Sequence, residues 1–308
     1  MNLNDLLENE KSFSKNKNLH KAKQNKNDEF YTRYEDVEKE LSMYDKSIWK
    51  NKTVFCNCDD AVDKDDDRRT SAFAIYFIRN FKKLELKKLI CTHYSGVVDL
   101  FNQGPIGYIF TKTGYKEITN YPEGYDGSFD HPMSLKILNE ETDIVCTNPP
   151  FSRAIDYWKI IIESGKKFII ISNIANALNT AYIPYFKNKK VWAGYNRIDY
   201  FLTPKKGLTD ASGHWYTNIP IKNRPKYNNL KIIPLKEIPE KYKKYDDSKI
   251  LLVDHCYIPD DYKKVFAVSA RPILNGLLEK GYMIVQDKRY TPYTNGKEGF
   301  ARVLVQKT

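Results

Sequence analysis

The run Asp143-Ile144-Val145-Cys146, followed by Thr147-Asn148-Pro149-Pro150-Phe151, leaves this chain the fewest choices of fold. Its apolar part is short and bounded by turn chemistry, which reads as a buried parallel strand. Two consecutive prolines can neither continue a strand ladder nor enter a helix interior, so the backbone must leave the sheet there. The Asn148 side chain and the peptide carbonyls beside it are therefore presented at the carboxyl end of a strand. That edge is where open α/β sheets bind ligands. Phe151 sets an aromatic ring next to those acceptors.

The segments around this run alternate. Lys52–Cys58 reads as a strand, Ser71–Phe81 as a packed helix and Lys88–Thr92 as a second strand. Strand, helix and strand in that compass make a βαβ unit and imply a parallel sheet, hence an α/β fold. A hairpin over Tyr108–Ile118 turning at Gly114, short helices over Leu135–Leu138 and Ile155–Ile162, and an apolar strand over Phe168–Ser172 continue the pattern. Before it, Asp36–Met43 carries Val37 and Leu41 on one helical face, and Asp63–Arg69 is a charged loop. After about residue 185 the character changes. Val191–Leu202, Gly213–Ile219 and Lys231–Pro234 read as short strands between Pro- and Gly-bearing loops. Residues 225–249 are rich in Lys, Tyr and Pro. Lys249–Val253 and Phe300–Gln306 are strands, with a short helix over Ile273–Leu278.

With 308 residues, 41% of them hydrophobic and 23 Tyr, 15 Phe and 4 Trp among them, the chain can bury a large core. No apolar run approaches a membrane span and the N-terminus is polar, so a soluble cytoplasmic protein is expected. The five cysteines sit mostly in apolar, strand-like contexts, and Cys56-x-Cys58 lacks zinc spacing. They read as reduced core residues, and no metal is expected. The formal charge of +11 favours a polyanionic partner, most commonly nucleic acid, although lysine excess is also what an AT-rich genome encodes. Residues 1–27 are Lys- and Asn-rich. Within them His20, Lys21, Lys23 and Lys26 form either a phosphate-contacting arm or a solvated tail.

Asn148 to Phe151 can act on a planar amine. An exocyclic amine on a nucleobase is a poor nucleophile because its lone pair is delocalised into the ring. A carboxamide oxygen and a main-chain carbonyl can hold its two hydrogens, and an aromatic face can stack on an extruded base. A methyl donor in line behind the nitrogen then needs only proximity and orientation. The same tetrapeptide also serves as a stiff turn, so context decides. If the donor is S-adenosylmethionine, its amino group needs a partner at the end of the first strand, where Asn57, Asp59 and Asp60 stand; a helix N-cap is the other use for such residues. No glycine lies between Val54 and Arg69. His93 ends the second strand, where a ribose contact belongs. Ser128 and Phe129 can offer a hydroxyl and an apolar wall to the adenine, with Asp126 nearby. Later in the chain Arg197, Lys205, Lys206, Arg224 and Lys226 are candidates for phosphates, and Tyr195, Trp215 or Tyr216 for stacking at a displaced base. Each has an ordinary structural reading as core aromatic or solvated cation.

His20-Lys21-Ala22-Lys23, Asp28-Glu29-Phe30-Tyr31-Thr32, Cys56-Asn57-Cys58-Asp59-Asp60, Leu86–Ile90, Asp143-Ile144-Val145, Thr147–Phe151 and Lys166–Ile170 occur in this order in the EcoRI-type adenine-specific DNA methyltransferases, which the chain resembles from about residue 19 to its end. Ile258-Pro259 through Val268 and Ala301–Val305 resemble that family's C-terminal part. The resemblance implies a Rossmann-like S-adenosylmethionine-dependent methyltransferase sheet with an irregular DNA-recognition region. It implies a basic arm over 1–27, a cofactor-binding catalytic domain over 28–185, target recognition over 186–250 and C-terminal strands over 251–308 that complete or pack on the sheet. Tyr31 and Thr32 would close over the cofactor's methionine portion, Asn57–Asp60 would be the first cofactor motif, and Asn148, Pro149, Pro150 and Phe151 would be catalytic. Ser128 departs from the family, which carries Asp before the Phe. Lys21, Lys23, Lys26, Tyr195, Arg197 and Trp215 are the candidate DNA contacts. The implied partner is double-stranded DNA, with a restriction endonuclease paired in function but not in contact, and the implied state is a monomer. A methyltransferase acting on RNA or protein glutamine, or a DNA-binding relative without catalysis, would carry many of the same motifs.

Overall fold

Eight strands form the larger sheet: β1 (Thr53–Cys56), β2 (Lys88–Thr92), β3 (Gly107–Thr111), β4 (Gly114–Glu117), β5 (Ile144–Thr147), β6 (Lys167–Asn173), β7 (Trp192–Thr203) and β8 (Gly207–Thr217). Their order is β4-β3-β2-β1-β5-β6-β8-β7. This is a computed structural model, and it describes residues 31–61, 71–94, 106–119, 121–122, 124–203, 207–222 and 229–308. The chain divides into two units, residues 1–172 with 198–215 and residues 173–197 with 216–308.

In the first unit β1 pairs in parallel with β2 and β5, and β5 in parallel with β6. Every residue of β1 and β5 is buried, the expected pattern for parallel strands covered on both faces. Asp143 fixes the register at the entry to β5, its carboxylate accepting the Thr53 N–H at 2.8 Å while its own N–H donates to the Thr53 carbonyl. The hairpin of β3 and β4 adds antiparallel strands beyond β2.

The crossover from β1 to β2 is the helix Ala72–Asn80. Ser71 starts it by accepting the Ala74 N–H, and Phe73, Tyr76 and Phe77 are buried on it. Phe73 packs on Trp215 and Phe77 meets Trp49 edge-on. The crossover from β5 to β6 is the helix Ala154–Glu163, burying Ala154, Tyr157, Trp158 and Ile161 as one helical stripe. The helix Tyr34–Leu41 buries Val37 and Leu41, as the spacing predicts. The helix before β5 runs over Pro132–Lys136 and widens into a π turn at Ile137–Glu141.

Two expectations change. β7 falls one residue from the expected Val191–Leu202, but β8 begins at Gly207, six residues before the expected Gly213, and runs for 11 residues. Gly213, expected as the first residue of this strand, lies inside it, where a Cβ would come within 2.7 Å of the Phe201 ring. In the second unit a separate sheet appears, in the order β10-β11-β13-β17-β14. Its strands are β10 (Lys243–Tyr245), β11 (Leu251–Val253), β13 (Phe266–Val268), β14 (Tyr282–Ile284) and β17 (Val303–Lys307), while β9 (Lys231–Ile233) pairs with β12 (Tyr257–Pro259). The hairpin of β15 (Tyr293–Thr294) and β16 (Lys297–Glu298) is held by Asp247, which accepts the N–H groups of Asn295 and Gly296 at 2.9 Å each. The strands β11, β13 and β14 span only three residues each, too few to show a period. Arg302 crosses this sheet nearly buried, donating to the Val253 carbonyl and to Asp254. Among the described residues no helix is long and apolar enough to cross a membrane.

Candidate active site

The backbone leaves β5 at Thr147. Asn148 is half-buried with its Oδ1 shielded from solvent, and Pro149 is buried. Pro150 is extended, and Phe151–Arg153 form one tight turn closed by the Arg153 N–H on the Pro150 carbonyl at 3.1 Å. That turn feeds the helix Ala154–Glu163. The half-buried Phe151 ring stands edge-on to Phe201, centroids 5.7 Å apart.

The parallel register brings the ends of β1 and β2 to the same edge. Asn57 and Asp59 turn inward there. The Asn57 carboxamide oxygen accepts the Tyr157 hydroxyl at 2.6 Å. Asp59 is 5% exposed, its N–H donates to the Thr92 carbonyl at 2.9 Å, and its carboxylate accepts the Thr147 hydroxyl at 2.5 Å and the Ser71 hydroxyl. Burial pushes the Asp59 carboxyl up to about 7 against the opposing pull of those two hydroxyls. Asp60 faces outward and pairs with Nδ1 of His93, the side chains 35% and 28% exposed. The expected ends of the first two strands thus meet in one Asp60–His93 pair.

The loop before β5 closes the edge. Gly127 has φ +78°, and a Cβ on it would lie 1.8 Å from the His93 carbonyl oxygen, so only glycine allows this approach. Ser128 is fixed three ways: its N–H donates to Asp126, its hydroxyl donates to Asp130, and its carbonyl accepts the Ser134 hydroxyl at 2.6 Å. Phe129 is buried, edge-on to Tyr157 at 5.0 Å, with the Arg153 guanidinium 4.6 Å over its ring. Arg153 also donates to both oxygens of Asp130, at 2.6 and 3.3 Å, and holds that carboxyl down to about 2. Arg153, Asp130, Thr147, Ser71 and Tyr157 were not among the sequence candidates. Their signals in the sequence are nearness alone, Thr147 beside Asn148, Asp130 beside Phe129 and Arg153 two residues after Phe151, with Ser71 at the start of the expected helix and none for Tyr157.

Tyr31 bridges Leu202 through two backbone hydrogen bonds of 2.9 Å. Beside it the Thr32 hydroxyl is buried with no partner among the described residues. Of the DNA-contact candidates, Lys21, Lys23 and Lys26 lie outside the described residues, as do Lys205, Lys206, Arg224 and Lys226. Arg197 is exposed. Tyr195 is buried, its hydroxyl bonded to the backbone of Lys222. Trp215 and Tyr216 are fully buried. For Trp215 this corrects the stacking expectation: an apolar ring on a strand, packed on Phe73, fills core rather than surface.

A family model described as adenine-specific methyltransferase EcoRI matches residues 18–275. The chain is 32% identical to the Type II methyltransferase M.EcoRI of Escherichia coli, over 82% of this chain and 84% of that one. It is 27% identical to the Type II methyltransferase M.MgeORF184P of Mycoplasma genitalium over 94% of this chain and 98% of that one. With the Type II methyltransferase M.MpnI of Mycoplasma pneumoniae it shares 33% identity over 58% of this chain and 50% of the other. No solved structure gives a significant match.

Proposed function

Because the chain belongs to the EcoRI family of adenine-specific methyltransferases, we propose that it methylates the exocyclic N6 of an adenine extruded from double-stranded DNA, with S-adenosylmethionine as donor. The observation that carries this reading is the meeting of Asn148–Phe151 with Asp60, His93 and the Gly127–Phe129 loop at one sheet edge. The net charge of +11 suits a polyanionic substrate.

The residues present fit the cofactor. The outward carboxylate of Asp60 suits an ammonium, and the buried Thr32 hydroxyl has a hydrogen bond still to make among the described residues. His93 suits a ribose, and Ser128 with Phe129 suits an adenine edge and face, the serine oxygen keeping acceptor capacity while its proton goes to Asp130. When bound, S-adenosylmethionine supplies the methyl group. Asn148 accepts one amine hydrogen on its carboxamide oxygen and the Pro149 carbonyl accepts the other, which localises charge on the nitrogen. Phe151 stacks on the extruded base and fixes its plane. The proton leaves to solvent after transfer, and no strong base is required.

The test is transfer of labelled methyl from S-adenosylmethionine to unmethylated genomic DNA, followed by nucleoside analysis. Labelled N6-methyladenine supports the reading. Cofactor binding with no transfer to DNA overturns it in favour of RNA or protein as substrate, and absence of cofactor binding favours a DNA-binding relative without catalysis.

A further inference from the structure

Asp59 does something no cofactor contact requires. It is buried, yet one residue reaches four segments: it continues β1, its N–H meets the last carbonyl of β2, one carboxylate oxygen takes the hydroxyl of the last residue of β5, and the carboxylate also takes the capping serine of the helix Ala72–Asn80. Three of these segments carry the candidate site: Asp60 follows Asp59, His93 follows Thr92, and Asn148 follows Thr147.

We propose that Asp59 is a positioning residue, whose carboxylate sets the angle at which the Asn148 loop leaves the sheet through the Thr147 hydroxyl and ties that exit to the strand ends bearing Asp60 and His93. The proposal rests on the methyltransferase reading for its consequence in catalysis, but not for the tie itself. A buried carboxylate accepting two hydroxyls has a single arrangement. With the prolines of Asn148-Pro149-Pro150 allowing little backbone adjustment, a small shift at Thr147 passes directly to the Asn148 carboxamide.

The tie is sensitive to protonation. The groups facing Asp59 are Asp60, the thiols of Cys56, Cys58 and Cys146, and the Tyr157 hydroxyl. Burial holds the thiols and the phenol well above their ordinary values, so they stay neutral through the physiological range. Asp59, with its value raised to about 7, changes state inside that range. Ionised, it accepts both hydroxyls; protonated, it must place a hydrogen of its own among them. Since the folded value lies above the ordinary 3.8, ionisation costs stability as pH rises from about 4 to about 7. The active arrangement is therefore the less stable one.

Thr147→Val and Thr147→Ser test the tie, with Asp59→Asn as a third variant. Amide hydrogen exchange over residues 147–153, read without cofactor, is expected to quicken about tenfold in Thr147→Val and to return to the parent rate in Thr147→Ser. In methyl transfer, kcat of Thr147→Val is expected to fall about 10- to 100-fold with the cofactor KM within about threefold, and Thr147→Ser is expected to recover it. Asp59→Asn is expected to lose the acid limb near pH 7 and the stability slope between about pH 4 and 7. Parent exchange rates in Thr147→Val, or no recovery in Thr147→Ser, overturn the proposal. Failure of the parent protein to transfer methyl refutes the function instead, and the exchange result still decides the tie.

Discussion

Replacing Arg153 by Ala removes its two hydrogen bonds to Asp130 and its cover over Phe129 together. The Arg153 and Asp130 side chains are 42% and 37% exposed, so solvent screens the ion pair to about 0.5–1 kcal/mol. The guanidinium over the ring adds about 0.5–1 kcal/mol. The sum is about 1–2 kcal/mol, or a fall in Tm of about 1.5–3 °C for a chain of this size. The effect on the site is more specific. Asp130 also takes the Ser128 hydroxyl, so its release loosens the Ser128–Phe129 segment proposed to face the cofactor's adenine, and S-adenosylmethionine affinity is expected to drop about tenfold by titration calorimetry. Arg153→Lys keeps the charge but not the two-pronged contact and recovers only part of the loss. The pH dependence has a fixed sign. Arg153 holds Asp130 at about 2, below the ordinary 3.8, so this contribution is present above about pH 4 and lost as pH falls to about 2. In Arg153→Ala the acid limb of unfolding in that window becomes shallower. Parent affinity together with an unchanged acid limb would refute the reasoning.

Asn148→Ala is expected to lower kcat for methyl transfer by about 10²–10³ while cofactor binding stays near the parent value, since it removes the acceptor proposed for the amine. Turnover near the parent level would exclude that role. Gly127→Ala forces a Cβ to within 1.8 Å of the His93 carbonyl oxygen at a positive φ, and chemical denaturation should show a loss of about 2–3 kcal/mol. In the second unit, Arg302→Met leaves the Val253 carbonyl and the partly exposed Asp254 without their donor, and the expected cost is about 1–3 kcal/mol by denaturant titration. A smaller loss there, below about 1 kcal/mol, would mean that water replaces the guanidinium.

The first unit was legible because its elements repeat simple signals. Ser71 before an apolar helix, the short apolar runs of β1, β5 and β6, and prolines at a strand exit each point to one local structure, and the structure has them. What sequence could not give is pairing across the chain. Asp59 and Asp60 are identical residues side by side, yet one is committed inward to Thr147 and Ser71 and the other outward to His93. Only the register of β1 against β2 and β5 decides which is which. Trp215 was ambiguous for the same reason, since a large aromatic suits a core and an interface equally until its neighbours are known. In the second sheet β11 and β17 stand where the sequence reads strands at Lys249–Val253 and Phe300–Gln306, but β13 and β14, of three residues each, carry no period, and Arg302 looks in sequence like any surface arginine.

The glycine-free turn after β1 follows from the same geometry. A Gly-rich turn serves a cofactor by letting backbone come close, and between Val54 and Arg69 this chain has none. The described part of the turn, up to Ala61, is instead fixed by side chains: Asn57 on Tyr157, Asp59 on Thr147 and Ser71, Asp60 on His93. The close approach that glycine permits occurs from the other side, where Gly127 sits against the His93 carbonyl and delivers Ser128 and Phe129 to the edge. Residues that look like a weakened first motif therefore have a job in holding the frame. The test that separates the two jobs is a pair of substitutions: Asp60→Asn should weaken S-adenosylmethionine binding with little change in folding stability, because its partner is a half-exposed histidine. Asp59→Asn should change the pH dependence of stability with little change in affinity. If both variants lose affinity alike, the division of labour drawn between them is wrong.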